Sequence, residues 1–462
     1  MSERVTPAAD IFRAYDIRGI VGQGLDEKGV EWIGRAIAAE ALSVGESTIL
    51  LGRDARLSSP SLAAALRKGL LASGCDVIDL GVVPTPLLYF ATHTLATGSG
   101  VMLTGSHNPR DYNGIKIVLK QRALADNRIA RLRKRIANNE LVEGKGRLLQ
   151  QNIVPAYLKQ ITNDIRLSRR FKVVVDAGNG VGGLVAPALF AALGCEVVPL
   201  YCEPDGNFPH HHPDPTREKN VRDLQATVQA HKADLGIGLD GDADRIGLVT
   251  ASGRIINADH LLLAFAMDIL PDNPGGRVVF DVKSSHHLGR IVTALGGVPV
   301  MCKSGHSFVK QKMVETAGLL GGEFSAHIFF KHRWYGFDDG MYAAARFLEL
   351  MARYEASADE LLDRMPPSSS TPELFIAVAE TEKFAVMERI TQSLAFADCQ
   401  ISLLDGVRAD FGNGWALIRA SNTTPNLVLR FEADNEQALL AIQQRFRAAL
   451  LPLLPGAQLP FP

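Results

Sequence analysis

The sequence predicts an α/β protein of three similar mixed-sheet α/β domains followed by a smaller α+β C-terminal domain. Three observations carry that prediction. At 462 residues the chain exceeds what one hydrophobic core supports, and its 47% hydrophobic content is ample for several buried layers. A helix that ends in glycine and leads almost at once into a β-branched strand occurs at 70–78, 190–198 and 291–300, around Gly74, Gly194 and Gly296. Copies spaced by about one domain length indicate repeated domains rather than a solenoid of short repeats. The third observation is the stretch from Pro366 to Pro372, which combines proline with small polar residues as a linker does and precedes a different strand and helix rhythm.

Taken in order, residues 11–20 form a short segment broken by Gly19, with Arg13, Tyr15, Asp16 and Arg18 among apolar neighbours. They suit a structural salt bridge or an anion held near Arg18. A helical period sets Val30, Ile33, Ile37 and Ala41 on one side of a helix over 26–42. A strand over 48–54 turns polar at Arg53 and Asp54, and a helix over 60–73 starts near Pro60. The strands before the other two copies also end in polar residues, at Asp176 to Asn179 and at Asp281 to Lys283. In a mostly parallel sheet such ends face a common cleft. Beyond the linker the sequence predicts a strand over 373–379, a helix over 381–395, strands over 401–418 and 427–432, and a closing helix over 434–450. The predicted domains are 1–150, 151–255, 256–366 and 367–462.

Composition narrows the function classes. With 49 basic and 50 acidic residues the net charge is -1, so no single-sign field points to nucleic acid or an anionic membrane. Five cysteines without a CxxC pair fit free thiols in a reducing compartment. The first residues carry no apolar leader, and no charge-free apolar run of about 18 residues occurs. A cytoplasmic location is expected.

The chemistry gathers at four stretches. An apolar strand, Val101 to Leu103, runs into Thr104, Gly105, Ser106, His107, Asn108 and Pro109, which presents a nucleophile on a turn at a sheet edge. A second strand runs into Asp240, Asp242 and Asp244 at spacing two, with Arg245 behind them. In an extended loop these carboxylates share a face and converge on one cation; oxygen ligands alone favour Mg²⁺. Glu323, Ser325 and His327, also at spacing two, offer an acceptor and a donor for vicinal sugar hydroxyls if that loop is extended. Arg419 followed by Ser421, Asn422, Thr423 and Thr424 suits a dianionic phosphate, with no carboxylate to repel it. Three adjacent histidines, His210 to His212, lie on a proline-locked loop where neighbouring side chains do not converge as zinc ligands, so loop packing with some phosphate contact is expected. Nucleophile, cation site, sugar clamp and anion cradle together describe phosphoryl transfer to and from a sugar. Ser106 carries the phosphoryl group and faces the cation; Lys116, His107 and His327 are candidates for the general base, with Lys116 and His107 first.

On these four stretches the whole chain resembles the α-D-phosphohexomutase superfamily, and within it the bacterial branch that works on mannose and glucose phosphates. The resemblance implies a heart-shaped arrangement of four domains around a central cleft, a phosphorylated Ser106, Mg²⁺ held by Ser106, Asp240, Asp242 and Asp244, and glucose 1,6-bisphosphate as activator and intermediate. It implies catalytic roles for Ser106, His107, Lys116 and Arg18. It also places Tyr15, Arg245, Lys283, His306, Glu323, Ser325, His327, Arg419, Ser421, Asn422 and Thr423 around the substrate, with Glu323 on the sugar's O3 and O4. A monomer acting on small phosphosugars follows from the same likeness, as does movement of the fourth domain about 366–372. The alternatives are a phosphoglucosamine mutase or a phosphoserine-dependent sugar phosphatase. Ala243 and Ala326 depart from the family's pattern, which has glycine at both places.

Overall fold

The computed structural model describes residues 5–379, 381–421 and 424–462. Four sheets follow one another along the chain, of eight, five, four and six strands. The glycine-ended helices do lead into strands that lie parallel to the strand before them. Thr48–Arg53 pairs in parallel with Asp76–Val82, Lys172–Asp176 with Glu196–Leu200, and Arg277–Asp281 with Val298–Cys302.

The likeness of the three units goes further. In each, the first strand also takes a third strand in parallel on its other side, and a fourth runs antiparallel to the third. These last pairs are Gly100–Leu103 with Tyr112–Leu119, Leu235–Leu239 with Ile246–Thr250, and Leu320–Gly322 with Ile328–Phe330. The serine stretch, the aspartate trio and the Glu323 stretch are therefore the same connection in three copies. The fourth unit repeats the arrangement in an antiparallel sheet, where Gly414–Ala420 returns as Asn426–Ala433 around the predicted phosphate cradle.

Helix starts follow local chemistry. The Asp26 side chain accepts from the Gly29 amide at 2.7 Å, and Ser357 with Glu360 forms a capping box. The predicted strand over 401–418 is divided: Gln400–Ser402, Val407–Asp410 and Gly414–Ala420 are separate antiparallel strands, turned at Gly406 and Gly412, whose φ values are 78° and 81°. The linker also differs from expectation, because Ser369–Ser370 pairs with Asn426–Ala433 as an edge strand of the fourth sheet.

One apolar core crosses the first three units, including Leu50, Phe90 and Met102, then Tyr157, Phe171 and Val175, then Phe280, Phe330 and Trp334. Aromatic rings join them: Phe90 meets Tyr157 edge-on at 5.5 Å and stacks on Trp334 at 5.9 Å. The fourth unit has its own core around Ile390, Phe431 and Phe446, and meets the third through Trp415 and Leu417 against Val282. No helix among the described residues is long and apolar enough to cross a membrane.

Candidate active site

The four connections open on one cleft of about 810 Å³. Its lining includes Tyr15, Arg18, Ser106, His107, Lys116, Arg245, Lys283, His306, Glu323, Ser325, His327, Arg419 and Ser421, so the structure brings these expected residues together. Asn422 and Thr423 lie outside the described residues. Asp240, Asp242 and Asp244 sit just beneath the surface, each fully buried.

Ser106 occupies the left-handed region, with φ 49°, a conformation few non-glycine residues adopt. Its amide donates to Thr104 Oγ1 at 2.8 Å, and its hydroxyl donates to Asp240 Oδ2 at 2.8 Å with His107 Nδ1 3.1 Å away. The loop is held from below by Arg56, which is fully buried and donates to the carbonyls of Ser106 at 2.8 Å, Asn108 at 2.6 Å and Tyr112 at 3.0 Å. Asp54 accepts from the Gly105 amide at 3.0 Å and from Thr104 Oγ1 at 2.9 Å. Sequence reasoning marked Asp54 only as a polar strand end and missed Arg56, whose partners lie about fifty positions on.

The aspartate trio converges through a turn rather than an extended loop. The Ala243 amide donates to the Asp240 carbonyl at 3.0 Å, and Ala243 has φ 60°. One carboxylate oxygen from each of Asp240, Asp242 and Asp244 lies within 4.8 Å of the others. Lys116 Nζ donates to Asp242 Oδ2 at 2.7 Å and also to Asp244 Oδ2, while Thr85 Oγ1 donates to Asp242 Oδ2. Oδ1 of Asp242 and Oδ1 of Asp244 are buried without a hydrogen-bond partner. Three buried carboxylates against one bonded lysine, with two oxygens that accept no hydrogen bond, fit a divalent cation. Burial, and then the neighbouring carboxylates Asp242 and Asp244, push Asp240 well above the usual carboxylate range. Burial opposes the charge on Lys116, but Asp242 and Asp244 overcome it and hold the ammonium well above its ordinary pKa. Burial, Arg245 and Arg18 hold His107 well below the ordinary imidazole value, in its neutral form.

The first and second units touch directly at this point. A methyl group on Gly241 would stand 2.4 Å from the Ser106 carbonyl oxygen, so only glycine lets the serine loop rest on the aspartate turn. The aspartate turn in turn pairs with the third unit, where Arg245 bridges to His327 and the Ile246 amide donates to the Ala326 carbonyl at 3.1 Å.

The Glu323 stretch is a tight hairpin turn, not the extended loop expected. The Glu323 amide donates to the His327 carbonyl and the Ala326 amide to the Glu323 carbonyl, both at 2.9 Å, with Ala326 at φ 72°. Glu323 Oε1 accepts from the Gly305 amide at 2.7 Å, which leaves Oε2, buried and unpartnered, for a ligand. Burial raises the Glu323 pKa. His327 Nε2 accepts from Arg245 Nε at 3.1 Å, and its Nδ1 lies 3.1 Å from Asp338 Oδ2. Asp338, also missed from sequence, is fully buried between His327, His306 and Lys310. Burial, then Lys310, lowers the His306 pKa to about 4.

Cations flank the far end. Lys283 Nζ donates to Glu373 Oε1 of the fourth unit at 3.1 Å, and Arg419 Nε donates to Asp405 Oδ2 at 2.9 Å. Arg18 NH1 donates to Asn108 Oδ1 at 3.1 Å, so the segment 11–20 supplies both a salt bridge to Asp16 and a cation at the serine loop.

Comparisons with known proteins agree with this geometry along the whole chain. The phosphoglucomutase/phosphomannomutase alpha/beta/alpha domains I, II and III match residues 9–143, 155–253 and 257–368, and the C-terminal domain of that family matches 373–449. The phosphomannomutase/phosphoglucomutase of Pseudomonas aeruginosa is 52% identical over 456 residues, covering 99% of this chain and 98% of that one. The phosphoglucomutase of Neisseria gonorrhoeae is 47% identical over 445 residues, 96% of each chain. The crystal structure of a phosphoglucomutase/phosphomannomutase family protein from Burkholderia thailandensis superposes with a TM-score of 0.94 at 45% identity, covering 98% of this chain and 100% of that one. With four domain matches in order, near-complete coverage and the serine, aspartate and hairpin connections on one cleft, the chain belongs to the phosphoglucomutase/phosphomannomutase family of the α-D-phosphohexomutase superfamily.

Proposed function

We propose that this enzyme interconverts hexose 1-phosphate and hexose 6-phosphate, for mannose and glucose, through a phosphorylated Ser106 and a hexose 1,6-bisphosphate that turns over in the cleft. The observation that carries the reading is Ser106 itself, held at positive φ with its hydroxyl on Asp240 and its loop pinned by Arg56 and Asp54. In the forward half reaction the bond between phosphorus and Ser106 Oγ breaks, a bond forms to the sugar hydroxyl, and that hydroxyl gives up its proton to a base of the cleft, for which Lys116, His107 and His327 are the candidates. In the return half the other phosphate passes to Ser106, whose proton has two acceptors within reach, Asp240 Oδ2 and His107 Nδ1. Mg²⁺ on Asp240, Asp242 and Asp244 would supply charge stabilisation for the phosphoryl oxygens. The free Oε2 of Glu323 and the Ser325 hydroxyl would grip O3 and O4 and leave C2, where the two sugars differ, unread. Arg419 and Ser421, with Asn422 and Thr423, would hold the phosphate that does not react. Glucose 1,6-bisphosphate would prime an unphosphorylated chain. The reading has the chain act in the cytoplasm as a monomer on small phosphosugars, in keeping with its balanced charge.

The test is conversion of mannose 1-phosphate and glucose 1-phosphate to their 6-phosphates, with Mg²⁺ and a trace of bisphosphate, by the wild type and Ser106→Ala. Both sugars should react, and the variant should lose about 10³-fold or more. Release of free phosphate would make the enzyme a phosphatase. Turnover of glucosamine 1-phosphate alone would reassign the sugar.

A further inference from the structure

Two consecutive histidines open the helix His286–Ala294 of the third unit, away from the residues given roles above. Each is only 6% exposed, and their rings meet edge to face with centroids 4.3 Å apart. Opposite them, in the fourth unit, stands Asp434, just past the strand Asn426–Ala433. One potential ligand atom from each of His286, His287 and Asp434 lies within 4.8 Å of the other two.

The hydrogen bonding around these rings is incomplete. Both ring nitrogens of His286 and Nε2 of His287 are buried without a hydrogen-bond partner. Buried polar atoms are almost always satisfied, so three orphans in one place call for a ligand. His286 Nε2 stands 3.1 Å from Asp434 Oδ1 without the alignment of a hydrogen bond. Ligand atoms around a tetrahedral zinc ion stand apart by a similar distance, about 3.3 Å, given zinc bonds of about 2 Å.

The surrounding charges leave room for a cation. Arg290 donates through NH1 to Asp434 Oδ1 at 3.2 Å and through NH2 to the Gly412 carbonyl, but its side chain is 46% exposed, so solvent screens its charge at the site. Glu432 stands beneath the pair, accepting from the His286 amide at 3.2 Å and from Trp415 Nε1 at 2.7 Å. Arg430 is turned away, to the Lys283 carbonyl and Asp259. Two imidazoles and one carboxylate suit zinc and its neighbours in the first transition row and disfavour Mg²⁺, which takes oxygen.

We propose that His286, His287 and Asp434 form a second metal site, for a divalent transition metal of the zinc type, which pins the fourth unit to the third. Water completes the coordination on the exposed Asp434 side. The site is separate from the aspartate trio and does not depend on the reaction assigned to the cleft.

The experiment is calorimetric titration of Zn²⁺ into the tag-free full chain in excess Mg²⁺, repeated for Asp434→Asn and His287→Gln. Wild type should bind one zinc that Mg²⁺ does not displace and should melt at higher temperature with zinc bound; Co²⁺ in its place should give the intense visible absorption of a four-coordinate site. Each variant should bind zinc about tenfold more weakly or worse, with mutase activity in Mg²⁺ alone unchanged. Asp434 is partly exposed, so its variant keeps the fold and isolates the ligand effect. Zinc binding of equal strength in both variants, or none that survives Mg²⁺, overturns the proposal.

Discussion

Replacing Gly241 with alanine tests whether the serine loop and the aspartate turn are locked together. The new methyl group would stand 2.4 Å from the Ser106 carbonyl oxygen, against an ordinary contact distance of at least 3.4 Å. One loop must therefore retreat by about 1 Å, and neither is free to do so without cost: Arg56 and Asp54 tie the serine loop down, and Asp240 to Asp244 are fully buried. A displacement of about 1 Å at reacting atoms costs on the order of 100-fold in rate, or about 2.7 kcal/mol of barrier. Overpacking adds about 1–3 kcal/mol of lost stability. The assay is the rate of glucose 6-phosphate formation from glucose 1-phosphate, read beside a thermal melt. Gly289→Ala is the control, because nothing lies within 4 Å of its added carbon, and it should keep full activity. A Gly241→Ala enzyme with near-normal kcat and an unchanged melting temperature would refute the contact between the two loops.

Three further outcomes are expected. Ala326→Gly relieves left-handed backbone at φ 72° and should gain about 1 kcal/mol in denaturant unfolding, whereas Ala243→Gly, at φ 60°, also gives up a methyl buried in the core and should gain less; a rate change should show at the sugar hairpin rather than at the trio. Arg56→Met strips four loop carbonyls, those of Ser106, Asn108, Pro109 and Tyr112, of their donor and leaves Asp54 buried without its cation, so about 3–5 kcal/mol should be lost in the same measurement. Burial between the rings of Tyr335 and Phe337, then Lys331, lowers the His93 pKa to about 4. The unfolded chain binds a proton at His93 near pH 6.5 and the folded chain does not, so stability falls as pH drops from about 6.5 to about 4; melts across that window should fall less steeply for His93→Phe.

The parallel pairs of the three units were legible because each is written locally, as a glycine-ended helix running into a β-branched strand. The site was legible in its residue types, since Ser106, the aspartates, Glu323 and Arg419 stand at strand ends and line or underlie one cleft. Shape within the loops was not. Spacing two suggested extended loops for the trio and for Glu323, whereas Ala243 and Ala326 turn the chain at positive φ, which their side chains do not advertise. Arg56 and Asp338 escaped notice for a different reason: a charge in a loop carries no period, and the partners of these two lie far off in the chain. Lys116 stood with His107 as a first candidate for the base, and sequence could not show that Asp242 and Asp244 close on its ammonium.

The unbroken core under the first three units has a consequence for how this enzyme tolerates change. Phe90 and Tyr157, on helices of the first and second units, and Trp334, on a loop of the third, share one packing problem, so a cavity opened at any of them is felt by all three units. Repeated domains ordinarily allow each copy to drift on its own. Here the three copies share one of their cores, so that freedom is kept for the clusters each holds alone, around Ile33 and Val101 in the first unit, Leu224 in the second and Val309 in the third, and for the fourth unit's own core.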